Sequence, residues 1–274
     1  MAVRYRAALA YDGTAYQGFQ RQAGDTPTIQ LALERAVEVI TGQQVTVIAA
    51  GRTDSGVHAI GQVIAFDVNW DHPDADLLRA INAVLPSDIA LQDLARHEGF
   101  HPRFDAVSRV YKYTLLLAAQ RQPLLRHRAW HVFAPLDSNA MQTAANWLVG
   151  THDFGAFGKA PIDGSENTIR AVMRSQWVTE PFENGQLWHY TIEANAFLQH
   201  MVRKIVGMLV DVGRGAQTLA QFDAAFRRAE LVQAGTMAPP QGLVLEAVRY
   251  RPINAGAQDG QQAGETPAGG RDER

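Results

Sequence analysis

Apolar residues recur along this chain with two different periods that take turns from residue 3 to residue 250, and this alternation narrows the possible folds more than any other feature. Alternating or short continuous apolar runs at 3–11, 45–50, 59–68, 89–94, 107–117, 171–179, 187–194 and 243–250 predict strands. Segments 28–41, 74–85, 137–149, 197–212 and 218–230 place apolar residues at helical spacing instead. Thr28 stands where a helix N-cap belongs, and Gly42 stands where that helix must stop. The expected fold class is α+β, a largely antiparallel sheet carrying its helices mainly on one face. The rhythm of the first half returns in the second, where 150–154 reads as a turn after a helix, as Thr41-Gly42 does earlier. Two halves are expected, 1–106 and 107–253. The remaining stretch, 254–274, has no Leu, Ile, Val, Phe, Tyr, Trp or Met and is expected to be a disordered tail.

At 274 residues the chain can bury a sizeable core without a covalent staple, and its 46% hydrophobic and 19% charged residues are ordinary globular composition. It contains no cysteine, which removes thiolate nucleophiles, Cys-ligated zinc and iron–sulfur clusters from consideration. The apolar stretch 115–119 is far too short to span a bilayer, so a soluble, cytoplasmic protein with no membrane partner is expected. The formal net charge is −3, yet 22 of the 25 basic residues are arginine, the side chain suited to bidentate phosphate contact.

The densest group of chemically capable residues is Gly51-Arg52-Thr53-Asp54-Ser55-Gly56-Val57-His58, set between two apolar strands. It fits a tight connection in which Asp54 and Ser55 bond their own backbone, and equally a functional loop on a rigid sheet. No Walker pattern is present, and Asp54 with His58 lacks a third metal ligand, so no metal site is expected. Around the predicted helix 197–212, Phe197, Met201, Ile205, Met208 and Val212 define one apolar face, which Val202, Val206 and Val210 extend. Arg203 falls in the remaining polar arc with His200 and Lys204, where its guanidinium needs either a partner or a route to water. Tyr111 and Tyr113 point to the same face of one strand, as core aromatics or as stacking platforms.

The Gly51–His58 segment closely resembles the active-site motif of the tRNA pseudouridine synthase A family. Further family-like blocks follow in order: residues 12–20, Phe100-His101-Pro102-Arg103-Phe104-Asp105-Ala106, Tyr111-Lys112-Tyr113, Gly150-Thr151-His152-Asp153-Phe154, 195–203 and 238–243. Pro102 departs from the pattern, which has a small residue there. The resemblance implies a pseudouridine synthase fold, two pseudo-symmetric RNA-recognition-like halves with a cleft between them. It implies isomerisation of uridine to pseudouridine at positions 38 to 40 of the tRNA anticodon arm, with no cofactor. It also implies a homodimer in which one RNA spans both subunits.

On that resemblance Asp54 is the catalytic carboxylate acting at the ribose C1′, and Arg203 pairs with it. Tyr111 stacks on the uracil, and Leu245 forms another wall of the pocket. A uridine in a stem must flip out to be reached, and Arg52 is placed to fill its space or hold its phosphate. Two other classes compete. A non-catalytic RNA-binding module could stack bases on Tyr111 and Tyr113, but gains nothing from a carboxylate facing an anionic backbone. A hydrolase would need a second acid or a base placed on water, and neither G-x-S-x-G nor H-E-x-x-H appears; a zinc nucleobase deaminase needs cysteines the chain lacks.

Overall fold

The computed structural model describes residues 2–133, 135–159, 167–230 and 235–251; the tail expected at 254–274 lies outside them. In the first half, strand β1 (Val3–Tyr11) leads to helix α1 (Ile29–Thr41), a short strand β2 (Ile48–Ala49), strand β3 (His58–Val68), helix α2 (Asp74–Val84) and strand β4 (Ile89–Arg96). The second half runs through β5 (Ala106–Ala118), β6 (Trp130–Val132), α3 (Ser138–Trp147), β7 (Gly150–Asp153), β8 (Ile169–Phe182) and β9 (Gly185–Ala194). It ends with α4 (Met201–Gly213), α5 (Leu219–Arg228) and β10 (Leu243–Tyr250).

Among the described residues ten strands join one sheet in the order β4-β1-β3-β10-β5-β9-β8-β7, with β2 added to β3 and β6 to β5. Pairing is antiparallel except at β3/β10 and β5/β6. Within this sheet the same βαββαβ arrangement occurs twice: β4-β1-β3-β2 in the first half and β10-β5-β9-β8 in the second. The mixed α+β class and the mainly antiparallel sheet agree with the sequence reading. Alternate residues of the strands, such as Tyr5, Ala7 and Leu9 of β1 or Tyr190, Ile192 and Ala194 of β9, share one buried cluster with apolar residues of all five helices. That common cluster places the helices on one face. A smaller cluster of Ala50, Val63, Ala65 and Phe100 covers part of the other.

Local signals explain the helix boundaries. The Thr28 hydroxyl accepts from the Leu31 amide, and Gly42 ends α1 in the left-handed region at φ 70°. Ile29, Leu33 and Val37 face the core from α1, each worth about 1.5–3 kcal/mol of burial. Thr218 and Gln221 form a reciprocal capping box on α5.

Four expectations need correction. The strand expected at 45–50 is paired with β3 only at Ile48 and Ala49, opposite Ala65 and Ile64. The segment expected to turn at 150–154 is the edge strand β7, which continues the ladder beside β8. Strand β6 is absent from the sequence reading, being only three residues of β5 edge pairing. The helix expected from residue 197 begins at Met201, because His200 sits at φ 65° and ψ 1°, a left-handed conformation that a helix cannot pass through.

The two half-sheets join where β3 pairs with β10, and this pairing is parallel: His58 lies opposite Val244 and Ala59 opposite Leu245. Parallel strands start at the same end. The loop 51–57 that leads into β3 and the segment 236–242 that leads into β10 therefore emerge side by side.

Candidate active site

Both segments are held from several directions. The turn 12–20 supports the loop from one side: the Phe19 amide donates to the Thr53 carbonyl at 3.0 Å, and the Ser55 hydroxyl donates to the Tyr16 carbonyl at 3.1 Å. A Cβ added to Gly13 would lie 2.0 Å from the Val57 carbonyl oxygen, so only glycine permits this approach. From beneath, the Gln62 amide donates to the Gly51 carbonyl at 2.8 Å, and the Tyr11 hydroxyl pairs with the Thr53 hydroxyl at 2.8 Å. Burial pushes the Tyr11 phenol up to about 12, so it remains a neutral hydrogen-bonding group. The buried Arg109 guanidinium spreads over the carbonyls of Ala50, Arg103 and Asn195 at 3.0, 2.7 and 2.8 Å, joining three loops, and burial lowers its pKa.

Segment 236–242 crosses α4 so closely that a Cβ on Gly207 would come within 1.6 Å of the Thr236 carbonyl oxygen. The Tyr113 hydroxyl donates to the Pro239 carbonyl at 2.8 Å, so this tyrosine is a structural fastener rather than a wet surface group. His58 is fully buried in the same junction. Its Nδ1 accepts from the Gly13 amide at 3.0 Å and its Nε2 donates to the Gln241 carbonyl at 3.2 Å, an arrangement made by the neutral ring.

Burial pulls the His58 pKa down, against a partial opposing pull from Asp12, whose carboxylate lies 3.0 Å away. The unfolded chain therefore binds this proton more readily than the folded one, and the His58 contribution to stability is complete above the unfolded value near 6.5. It is lost as pH falls through the lower folded value. Thermal melts at pH 7.5 and 5.5 are expected to show a smaller acid-induced fall in Tm for His58→Asn than for the native chain; equal slopes would mean His58 is protonated without cost.

Within this frame Asp54 and Arg203 meet. Arg203 Nη1 donates to Asp54 Oδ2 at 3.2 Å, and Arg203 Nε donates to the Ala238 carbonyl at 2.8 Å, so one guanidinium holds both segments that start the parallel strands. The Arg203 side chain is 12% exposed and that of Asp54 25%, which leaves the carboxylate open to a ligand while its partner is sequestered. Helix α4 is buried at Met201, Val202, Ile205, Val206 and onward to Val212 apart from its polar arc, as the helical projection predicts, so Arg203 has little freedom to swing into water. A carboxylate paired with a fixed guanidinium suits a nucleophile or an electrostatic stabiliser of an electron-poor carbon.

Tyr111 lies opposite Leu245 on β10 and Ile192 on β9. Its ring meets that of Phe197 edge-on, with centroids 5.1 Å apart. Its hydroxyl approaches the start of the Asp54 loop, 3.9 Å from where a Gly51 Cβ would stand, and burial with nearby Tyr11 and Asp54 raises its pKa. Leu245 is fully buried behind it. Arg52 is exposed, and among the described residues it has no ion-pair partner. The structure therefore brings Asp54, Arg203 and Tyr111 to one place, with Leu245 supporting that place from within and Arg52 at its rim. Sequence reasoning passes over Arg109, Gln62 and Tyr11, which hold the loop. Their only signal is polarity at inward-facing strand positions. It also gives His200 no role, although its Nε2 stands 3.7 Å from Asp54 Oδ1.

Among the described residues no group of three or more His, Asp or Glu is arranged to hold a metal ion, and no helix is long and apolar enough to cross a membrane. A family model described as tRNA pseudouridine synthase matches residues 7–105 and 144–251, which include the Asp54 loop, Arg203 and Leu245, while Tyr111 falls between the two matched stretches. The chain belongs to the tRNA pseudouridine synthase family and is an isomerase. It is 42% identical over 245 residues to the tRNA pseudouridine synthase A of Chloroflexus aurantiacus, covering 89% of this chain and 87% of that one. It is 39% identical over 248 residues to the protein of the same description from Neisseria gonorrhoeae, covering 90% and 92%. For that of a Geobacillus species the identity is 38% over 252 residues, covering 91% and 99%.

Proposed function

We propose that this chain converts uridine to pseudouridine at positions 38 to 40 of the tRNA anticodon arm, with Asp54 acting at the ribose C1′. The observation that carries this reading is the Asp54–Arg203 pair at the seam between the halves, a carboxylate kept accessible while its counter-ion is buried. Cleavage of the glycosidic bond leaves C1′ electron-poor, and a fixed carboxylate either bonds to it or stabilises its charge. Water must be excluded and the detached uracil retained, so a second carboxylate to activate water has no place in the reaction.

The remaining site residues take distinct roles. Tyr111, braced edge-on by Phe197 and backed by Leu245, stacks on the uracil while the base turns. Arg52, exposed beside the carboxylate, fills the space left by the flipped nucleotide or holds its phosphate. The halves 1–106 and 107–253 flank the cleft that admits the RNA arm. The enzyme works in the cytoplasm as a homodimer with one RNA spanning both subunits, and no cofactor enters the reaction. An RNA-binding module would have no use for a carboxylate held in this way, because it repels the phosphate backbone.

The test is pseudouridine mapping on tRNA before and after incubation with the protein. Uridine is expected to be lost at positions 38 to 40 and retained elsewhere. Modification at another arm of the tRNA would overturn the site assignment on the RNA.

A further inference from the structure

Three non-glycine residues among those described have positive φ: Glu183, His200 and Ala229. Glu183 lies in the turn between β8 and β9, and Ala229 caps the C-terminus of α5, where left-handed geometry is common. His200 is the third residue of a turn closed by the Met201 amide donating to the Leu198 carbonyl at 3.2 Å, a place for positive φ that Gly or Asn ordinarily fills. It precedes the first residue of α4, a position that is normally extended and capped by a side chain, and it makes no side-chain cap. Strain of this kind persists where the surroundings over-determine it, and here its product is an imidazole aimed at the catalytic loop. The side chain is 38% exposed, with Nε2 3.7 Å from Asp54 Oδ1.

We infer that His200 is a further catalytic residue, the base that removes the C5 proton of the uracil. This rests on the reading of Asp54 above. In the isomerisation the C1′–N1 bond breaks and a C1′–C5 bond forms, which leaves C5 bearing both the sugar and its original hydrogen. The C5–H bond must then break. Its electron pair forms C5=C6, the C6=N1 pair moves to N1, and N1 takes a proton from solvent. The C5 proton passes to the Nε2 lone pair of His200, which returns it to solvent through its exposed side, so the enzyme ends unchanged.

The distances suit this assignment. A carbon attacked by Asp54 stands about 3–3.5 Å from its oxygen, and C5 is bonded to that carbon once the new linkage forms. A base whose nitrogen lies 3.7 Å from the same carboxylate is therefore within reach of the C5 hydrogen. Histidine is also the side chain that exchanges protons near neutral pH. Arg203 and Lys204, also on α4, have no free lone pair while protonated, and the Asp54 carboxylate, released from C1′ as the C1′–C5 bond forms, is held by Arg203 at 3.2 Å, which makes it the weaker base.

His200→Asn is the informative variant, since Asn tolerates left-handed backbone and preserves the entry into α4. With tRNA carrying ordinary uridine, its turnover is expected to fall about 10²–10⁴-fold. Substituting deuterium at C5 should now slow turnover by a full primary isotope effect. With tRNA carrying 5-fluorouridine, which has no C5 proton, rearrangement to the C-linked nucleoside should proceed at the native rate, read by chromatography of digested RNA. Loss of rate on both substrates alike, or turnover with uridine within about threefold of native, would overturn the inference. Asp54→Ala run in parallel separates the two ideas: it should stop both substrates, and if it does not, the reading of Asp54 has failed independently of His200.

Discussion

Replacing Asp54 with Ala or Asn is expected to reduce pseudouridine formation below about a thousandth of the native rate while tRNA affinity changes only a few-fold. The carboxylate is the one acidic group in its loop, and it is held at 3.2 Å by a guanidinium that is itself nearly sequestered. It contributes little to adhesion, since a negative charge near the RNA backbone weakens binding. Asp54→Asn keeps the shape and one oxygen acceptor for Arg203, so folding should be preserved and the loss is chemical. The measurement is single-turnover conversion together with filter-binding affinity. Residual turnover above about a tenth of native in Asp54→Ala would remove Asp54 from the chemistry.

Substitutions at Arg203 should be nearly as damaging, and for two separable reasons. Its Nη1 holds Asp54 while its Nε holds the Ala238 carbonyl, so Arg203→Ala frees the carboxylate and also loosens segment 236–242 from α4. Breaking one side of a buried pair costs about 3–5 kcal/mol at most, which lowers Tm as well as turnover. Arg203→Lys keeps the charge but has a single nitrogen, which cannot reach both acceptors in the fixed fork of a guanidinium. Partial rescue is therefore expected: better folding than Ala, with turnover still well below native. Turnover per folded molecule, with folding followed by thermal melts, is the quantity to compare. A folded Arg203→Ala protein with near-native turnover would show that the pair does not orient the carboxylate.

Much of the site is legible in the sequence because its chemistry is concentrated. Gly51–His58 packs its polar residues between two apolar strands, and Arg203 interrupts a helix that is otherwise apolar around most of its circumference. Both are local patterns, and local patterns survive in one dimension. The residues that hold the loop are illegible for the opposite reason. Tyr11, Gln62 and Arg109 come from three different strands, and each looks like an ordinary strand position until the partner groups at Thr53, Gly51 and Ala50 are brought to it.

The helix boundary at His200 has the same origin. Apolar spacing carries the expected helix back to Phe197, because periodicity measures where side chains point and is blind to a backbone that turns left-handed at one residue. That turn releases Phe197 to brace Tyr111 and sends the imidazole toward Asp54.

Strand and helix identity, the polar loop and the buried arginine follow from residue type and spacing, because each depends on neighbours within a few positions. The pairing of β3 with β10 depends on a partner near the far end of the chain, Val244 opposite His58, and no local pattern encodes that choice. Two half-sheets of the same order could have remained separate. Joined in parallel, they bring the starts of two strands together, and the carboxylate of one half and the guanidinium of the other become a single site.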